Sequence, residues 1–191
     1  MEAETVDTPY RSVRHALSRA FAGEERVICK SPMLMGSRSS RSDMTPQDHA
    51  AQDAIVVSLV YQHCRREAIA AVTAQYMPDS LTRARGVTFT KNGAIRALAD
   101  EIREHHLFAS LPALYVVDIV RQWAGLSPGR SEAGWIEEMG KSSRTLRNIK
   151  NGSGAAGNRK PKPGVLTFLD DWIEEAESTM RPVMREREII G

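Results

Sequence analysis

The chain has 191 residues, 41% of them hydrophobic and 26% charged, with a formal net charge of +2. That is enough for one large globular domain or two small ones, and the balance is that of an ordinary folded protein. No apolar run approaches the roughly 20 residues that a membrane-spanning helix needs. The acidic, polar opening MEAETVDTPYRSV does not fit a secretory signal, so the expectation is a cytoplasmic protein with no membrane partner.

In chain order, Thr8-Pro9 reads as a helix start, with threonine as N-cap and proline in the first position. Val13, Ala16, Leu17, Ala20 and Phe21 form its apolar stripe, and Gly23 stops it. Arg11, Arg14 and Arg19 lie off that stripe; the pattern favours a solvated face over contact with phosphate. Residues 30–43, KSPMLMGSRSSRSD, have no helical period and read as a surface loop. There Arg38 and Arg41 either grip a phosphate or belong to a plain connector. Thr45-Pro46-Gln47-Asp48 is the clearest helix start in the chain: a capping threonine, a proline, then an acid near the positive helix end. The helix it opens is predicted to run to about Cys64. Ala51, Ala54, Ile55, Ser58, Leu59 and Gln62 share one side, and Val56, Val57 and Val60 widen it, which predicts a place at the centre of the core.

A further helix near 66–77 carries Ile69, Val72, Thr73 and Tyr76 on one side and ends at Met77-Pro78-Asp79. Residues 79–92 read two ways: Val87 and Phe89 suit a short strand, whereas Gly86 and Asn92 frame a loop. Ala94 to His105 is predicted helical, with Ile95, Leu98, Ala99 and Ile102 inward. Pro112 starts another helix, whose predicted inner face is Leu114, Val117, Val120, Trp123 and Ala124, with Asp118, Arg121 and Gln122 toward solvent. Leu126-Ser127-Pro128-Gly129 reads as a linker.

Residues 131–151, SEAGWIEEMGKSSRTLRNIKN, predict a helix, a tight turn and a second, basic helix. Trp135, Ile136 and Met139 form an apolar face, and Gly140 sits where a left-handed residue ends a helix. Ser142 or Ser143 can cap the next helix. Leu146 and Ile149 turn inward, while Arg144, Arg147 and Lys150 recur at a spacing of three on another face. A helix with a buried seam and a cationic outer face suits the DNA major groove, where arginine addresses guanine edges and phosphates. The same pattern also fits a surface hairpin whose charges meet only water. The following GSGAAGNRKPKPG, with Arg159, Lys160 and Lys162, reads either as an arm along the phosphate backbone or as a linker. The last helix holds Val165, Leu166, Phe168, Leu169, Trp172, Ile173, Ala176 and Met180. Pro182 is expected to kink or interrupt it, with Val183 to Gly191 as a tail.

Charge is uneven along the chain. Residues 121–164 contain nine Lys and Arg against three acids, whereas residues 165–191 contain seven acids against three arginines. A basic block followed by an acidic one predicts a local polyanion-binding face, with the acidic end turned away from DNA or toward a basic partner. The expected fold is all-α and multi-helical, with a helix-turn-helix DNA-binding unit in the C-terminal third. The expected organisation is a helical core region over 1–126, then the helix pair, basic arm and acidic amphipathic helix over 127–191.

Nothing in the sequence singles out a catalytic centre. His15, His49, His63, His105 and His106 do not fall into a metal-ligand spacing, and adjacent histidines point about 100° apart on a helix. There is no phosphate-cradling GxxxxGK[ST] loop, no GxGxxG after a strand and no nucleophile motif. Asp170-Asp171 and Glu174-Glu175 read as solvated acids on an amphipathic helix. Cys29 and Cys64 can pair in principle, but two free thiols are expected in a reducing cytoplasm. The expectation is therefore a non-enzyme without cofactor or metal.

Two stretches together resemble the antitermination protein Q group of lambda-like bacteriophages and their prophage relatives. The first is SDMTPQDHAAQDAIVVSLVYQHCRREAIAAVTAQYM, residues 42–77; the second is GWIEEMGKSSRTLRNIKNG, residues 134–152, followed by LDDWIEEAESTM. The resemblance covers about half the chain at the level of pattern. It implies a mostly helical regulator that binds double-stranded DNA near a late promoter, engages paused bacterial RNA polymerase and suppresses pausing and termination. It does not extend to the cysteine-based zinc finger of some members. On this reading Arg144, Arg147 and Lys150 address DNA, Lys141, Ser142 and Ser143 lie near phosphates, and Thr145 and Asn148 add base-edge contacts. Two other functions fit the same residues: another phage helix-turn-helix protein, such as a repressor or small terminase subunit, and a helical protein that binds a host factor without DNA.

Overall fold

A computed structural model of the chain describes residues 8–22, 45–78, 91–154 and 161–191. These residues form eight α-helices: α1 (Val13–Ala22), α2 (Pro46–His63), α3 (Arg66–Tyr76), α4 (Lys91–Glu104), α5 (Ala113–Trp123), α6 (Glu132–Met139), α7 (Ser143–Asn151) and α8 (Val165–Glu186). Among the described residues the only β pairing is two isolated bridges, Tyr10 with Ile190 and Ser153 with Lys162. The all-α expectation holds. The expectations for residues 30–43, for Val87 and Phe89, and for Gly23 and Cys29 lie outside the described residues.

The stripe predicted for α1 is its buried face, Val13, Ala16, Leu17, Ala20 and Phe21. Its start is different. Thr8-Pro9 does not cap the helix; Ser12 does, its Oγ accepting from the His15 amide at 3.2 Å. The residues before it serve another purpose. Tyr10 is buried, its amide donates to the Ile189 carbonyl at 3.2 Å and its hydroxyl to Asp53 at 2.6 Å. The tyrosine thus ties the chain before α1 both to α2 and to the turn after α8. Burial and the Asp53 carboxylate together push the Tyr10 hydroxyl far above the ordinary phenol range.

The Thr45 start is as expected, and complete. The Thr45 Oγ1 accepts from the Asp48 amide at 3.2 Å, and the Asp48 carboxylate accepts from the Thr45 amide at 2.8 Å. This reciprocal box satisfies two amides that a helix start otherwise leaves open. The face of α2 is rotated from the prediction. Val56, Leu59 and Val60 are buried, whereas Ala51, Ala54, Ser58 and Gln62 are exposed and Ile55 is 41% exposed. The central helix is α3, not α2: every residue from Ala68 to Ala74 is buried, and α3 packs against α1, α4 and α8. A helix apolar on all sides belongs in the interior, and its four alanines at 68, 70, 71 and 74 let neighbours approach closely.

Helix α4 starts earlier than expected, so Asn92 is helical rather than part of a loop, and its predicted face (Ala94, Ile95, Leu98, Ala99, Ile102) is buried. Helix α5 is rotated from the prediction. Leu114 is 67% exposed, while Tyr115, Val116, Ile119 and Val120 are buried and Asp118 is buried with them. Helix α8 buries Val165, Leu169, Ile173, Ala176, Met180 and Met184, at spacings of four with one of three between Ile173 and Ala176. Pro182 does not end it. The helix runs through the proline to Glu186, with Met180 and Met184 fully buried on either side. One lost backbone bond is outweighed by that burial, since each large apolar side chain removed from water contributes about 1.5–3 kcal/mol. The buried apolar residues form one cluster running from Tyr10 to Ile190, which includes Trp135 and Leu146 of the helix pair.

Candidate nucleic-acid interface

Helices α6 and α7 form the predicted pair, joined by a turn at residues 140–142. Ser131 caps α6, its Oγ accepting from the Gly134 amide at 3.2 Å. Gly140 ends it with φ of 60°, the left-handed conformation that a Cβ would disfavour. Of the two candidate caps for α7, Ser142 is the one used: its Oγ accepts from the Thr145 amide at 3.2 Å. The Ser143 hydroxyl instead donates to Glu132 of α6, which ties the two helix starts together.

The underside of the pair is built as the spacing requires. Trp135 and Leu146 are each 3% exposed, and Ile136, Met139 and Ile149 pack partly against them. The surface they rest on is α5. The rings of Tyr115 and Trp135 meet edge to face at 5.2 Å between centroids, and the Tyr115 hydroxyl donates to the Leu146 carbonyl at 3.2 Å. Burial, with the Glu132 charge adding to it, pushes that hydroxyl up to about 12. Asp118 is 7% exposed. Its carboxylate accepts from the Gly129 amide at 2.6 Å, the Arg130 amide at 3.0 Å and the Trp135 indole N–H at 3.0 Å. The prediction that Asp118 faces solvent is therefore overturned: three donors replace the water that a buried carboxylate needs. Arg130 lies over the Trp135 ring, 4.8 Å from its centroid, and pairs with Glu138.

The predicted DNA-contacting residues divide into groups. Lys141, Arg144, Arg147 and Asn148 are exposed. Arg144 and Arg147 have no ion-pair or hydrogen-bond partner among the described residues. Ser142, Ser143 and Thr145 are engaged within the pair, since the Ser142 and Thr145 hydroxyls also lie 2.9 Å apart. Lys150 is half-buried, and its Nζ donates to Gln122 of α5 at 2.6 Å, so it anchors the end of α7 rather than extending the free cationic edge. Lys162 has an exposed side chain, and its backbone pairs with Ser153 at 2.9 and 3.1 Å. Arg159 and Lys160 lie outside the described residues.

That Ser153–Lys162 bridge closes a neck between α7 and α8. Gly152 has φ of 86°, and a Cβ on Gly164 would meet the Gly152 nitrogen at 2.1 Å. Two backbones can pass this closely only where neither carries a side chain.

The acids of α8 are more engaged than predicted. Glu177 accepts from Arg14 at 2.6 Å, Glu175 pairs with Arg65, and Asp170 accepts from the Trp123 indole at 2.9 Å. Arg19 lies 3.7 Å from Asp53. The Arg14 side chain is 68% exposed, in keeping with a solvated face, but Arg14 and Arg19 each lie against an acid of the same chain. The imidazole of His105 packs on His106 and Phe168, with centroids 4.4 and 4.8 Å away.

Sequence reasoning missed Asp118, Tyr115 and Gln122, which hold the pair in place. One signal was present: an acid in the middle of the apolar run ALYVVDIV, where a solvated residue fits poorly.

No group of three or more His, Cys, Asp or Glu side chains among the described residues could hold a metal ion. Among the described residues no helix is long and apolar enough to cross a membrane. Comparison with protein-family models, with curated proteins and with solved structures found no match.

Proposed function

We propose that the chain is a DNA-binding transcription regulator in which α6 and α7 act as a helix-turn-helix unit and α7 lies against the duplex. The observation that carries this reading is the state of Arg144 and Arg147. Both project from a helix whose underside is pinned, and neither meets an acid among the described residues. By contrast, Arg14, Arg65 and Arg130 each pair with a glutamate. Guanidinium groups held on a rigid element without an internal partner suit phosphates and guanine edges. Lys141 before the start of α7 and Lys162, paired with Ser153 just past its end, add charge at either end of the helix.

Within that class, the antitermination protein Q group is the assignment that the sequence resemblance supports. The protein would then act in the bacterial host cytoplasm, binding DNA near a late promoter and engaging RNA polymerase to suppress pausing and termination. The test is a titration of labelled duplex DNA at several salt concentrations. The logarithm of affinity is expected to fall linearly with that of salt, because phosphate contacts release counterions. Absence of salt-dependent binding overturns the DNA reading. Transcription on a template with a promoter-proximal pause and a downstream terminator tests the narrower assignment: read-through supports it, and DNA binding without read-through or polymerase capture rejects it in favour of a repressor-like protein.

A further inference from the structure

Three polar side chains share one stripe of α5, at positions 115, 118 and 122, and each reaches a different part of the helix pair. Tyr115 donates to the Leu146 carbonyl in α7, and Gln122 accepts from Lys150 at the end of α7. Asp118 accepts from the two loop amides that lead into α6 and from Trp135 within it. Apolar contact alone is not directional, so Trp135 and Leu146 would hold the pair down without fixing its angle. Hydrogen bonds are directional. A buried carboxylate that accepts three of them strongly resists any displacement that leaves it or its donors unpaired.

We infer that Asp118 is a positioning residue for α7: through Gly129, Arg130 and Trp135 it sets the angle at which Arg144 and Arg147 leave the body of the protein. Its DNA-binding readout rests on the proposed role of α7; the positioning itself does not. Asp118→Asn keeps the size of the side chain but replaces one accepting oxygen with an NH2 group. At least one of the three donors then faces another donor.

The experiment combines proton NMR with DNA titration. The chain has three tryptophans, hence three indole N–H signals, and Trp135→Phe identifies one. Gly129 donates to one carboxylate oxygen, and Arg130 and Trp135 share the other. In Asp118→Asn the Gly129 amide is therefore expected to exchange at least about tenfold faster, and the Trp135 signal to shift as its charged acceptor becomes neutral. The Trp123 signal, whose indole is bonded to Asp170, stays in place. Unchanged Gly129 exchange together with an unmoved Trp135 signal overturns the inference. The dissociation constant for duplex DNA is expected to rise by roughly tenfold at fixed salt. In a double-mutant cycle with Arg147→Ala the two penalties should add to less than their sum, because a tilted α7 has already withdrawn Arg147. Full additivity shows that Asp118 does not act through α7. If the wild-type chain binds no duplex, the DNA reading fails while the indole and amide exchange still decide the positioning. If Asp118→Asn does not fold, Tyr115→Phe removes a single hydroxyl; faster exchange confined to α7 supports an α5 mount, and unchanged exchange there rejects it.

Discussion

Helices α7 and α8 are both amphipathic and both densely charged, yet their charges do different things. The acids of α8 meet partners from distant parts of the chain: Arg14 on Glu177, Arg65 on Glu175, the Trp123 indole on Asp170. On α7, Arg144 and Arg147 meet none among the described residues, while Lys150 is taken up by Gln122. A charged stripe in a sequence is thus silent about its use; what separates the two helices is whether their charges are answered within the molecule. The acidic end finds its basic partner in the N-terminal half of the same chain.

The sharpest way to break this comparison is to remove the support of each helix in turn. Leu169→Ala, at a fully buried position of α8, is expected to cost about 2–5 kcal/mol of global stability, read as one cooperative shift in a urea melt. Leu146→Ala removes the main anchor of α7. It is expected to cost about 2–3 kcal/mol, concentrated in residues 132–151, where amide exchange should rise while α3 and α8 stay protected. If Leu146→Ala lowers protection uniformly, the pair is not a separately mounted element. Next in size are Arg144→Ala and Arg147→Ala, each expected to weaken duplex binding by about 1–3 kcal/mol if it makes a bidentate base contact, with the melting temperature unchanged. A fall in stability instead would place these arginines in the scaffold.

The smallest effect lies on α8. The hydrogen bond and charge of Arg65 hold the Glu175 carboxyl below the ordinary glutamate range, against partial burial. A lowered folded-state value means the contribution is present above the unfolded glutamate value, about 4.3, and is lost as pH falls through the folded value. Melting temperatures measured from pH 7 down to pH 3 should therefore fall less in Glu175→Gln than in the wild type, by a small margin befitting a surface pair. Parallel curves would show that the ion pair contributes nothing.

What could be read in the sequence was whatever depends on near neighbours. The Thr45–Asp48 box, the Ser142 cap, the left-handed Gly140 and the stripes of α1, α4 and α8 rest on spacings of four residues or fewer. What was misread depends on distant partners. The runs from Ala54 to Tyr61 in α2 and from Ala113 to Val120 in α5 are each apolar but for one residue, so periodicity does not fix which side faces in. The packing of α1 and α8 chose Val56, Leu59 and Val60, and the helix pair chose Tyr115 and Asp118. Asp118 is the plainest case: its donors at 129, 130 and 135 become neighbours only after the chain has turned back. Pro182 misled for the reverse reason, because a local rule was overridden by Met180 and Met184 in the core.

The neck where Gly152 and Gly164 cross has a practical consequence. Since the Ser153–Lys162 bridge sets how far the end of α7 stands from the start of α8, the spacing of these helices does not depend on how many residues lie between 154 and 161. Doubling such a connection adds only about 0.6 kcal/mol of closure entropy. That makes it the natural insertion point for a fluorophore tag or epitope, one able to report on α7 without altering its attachment.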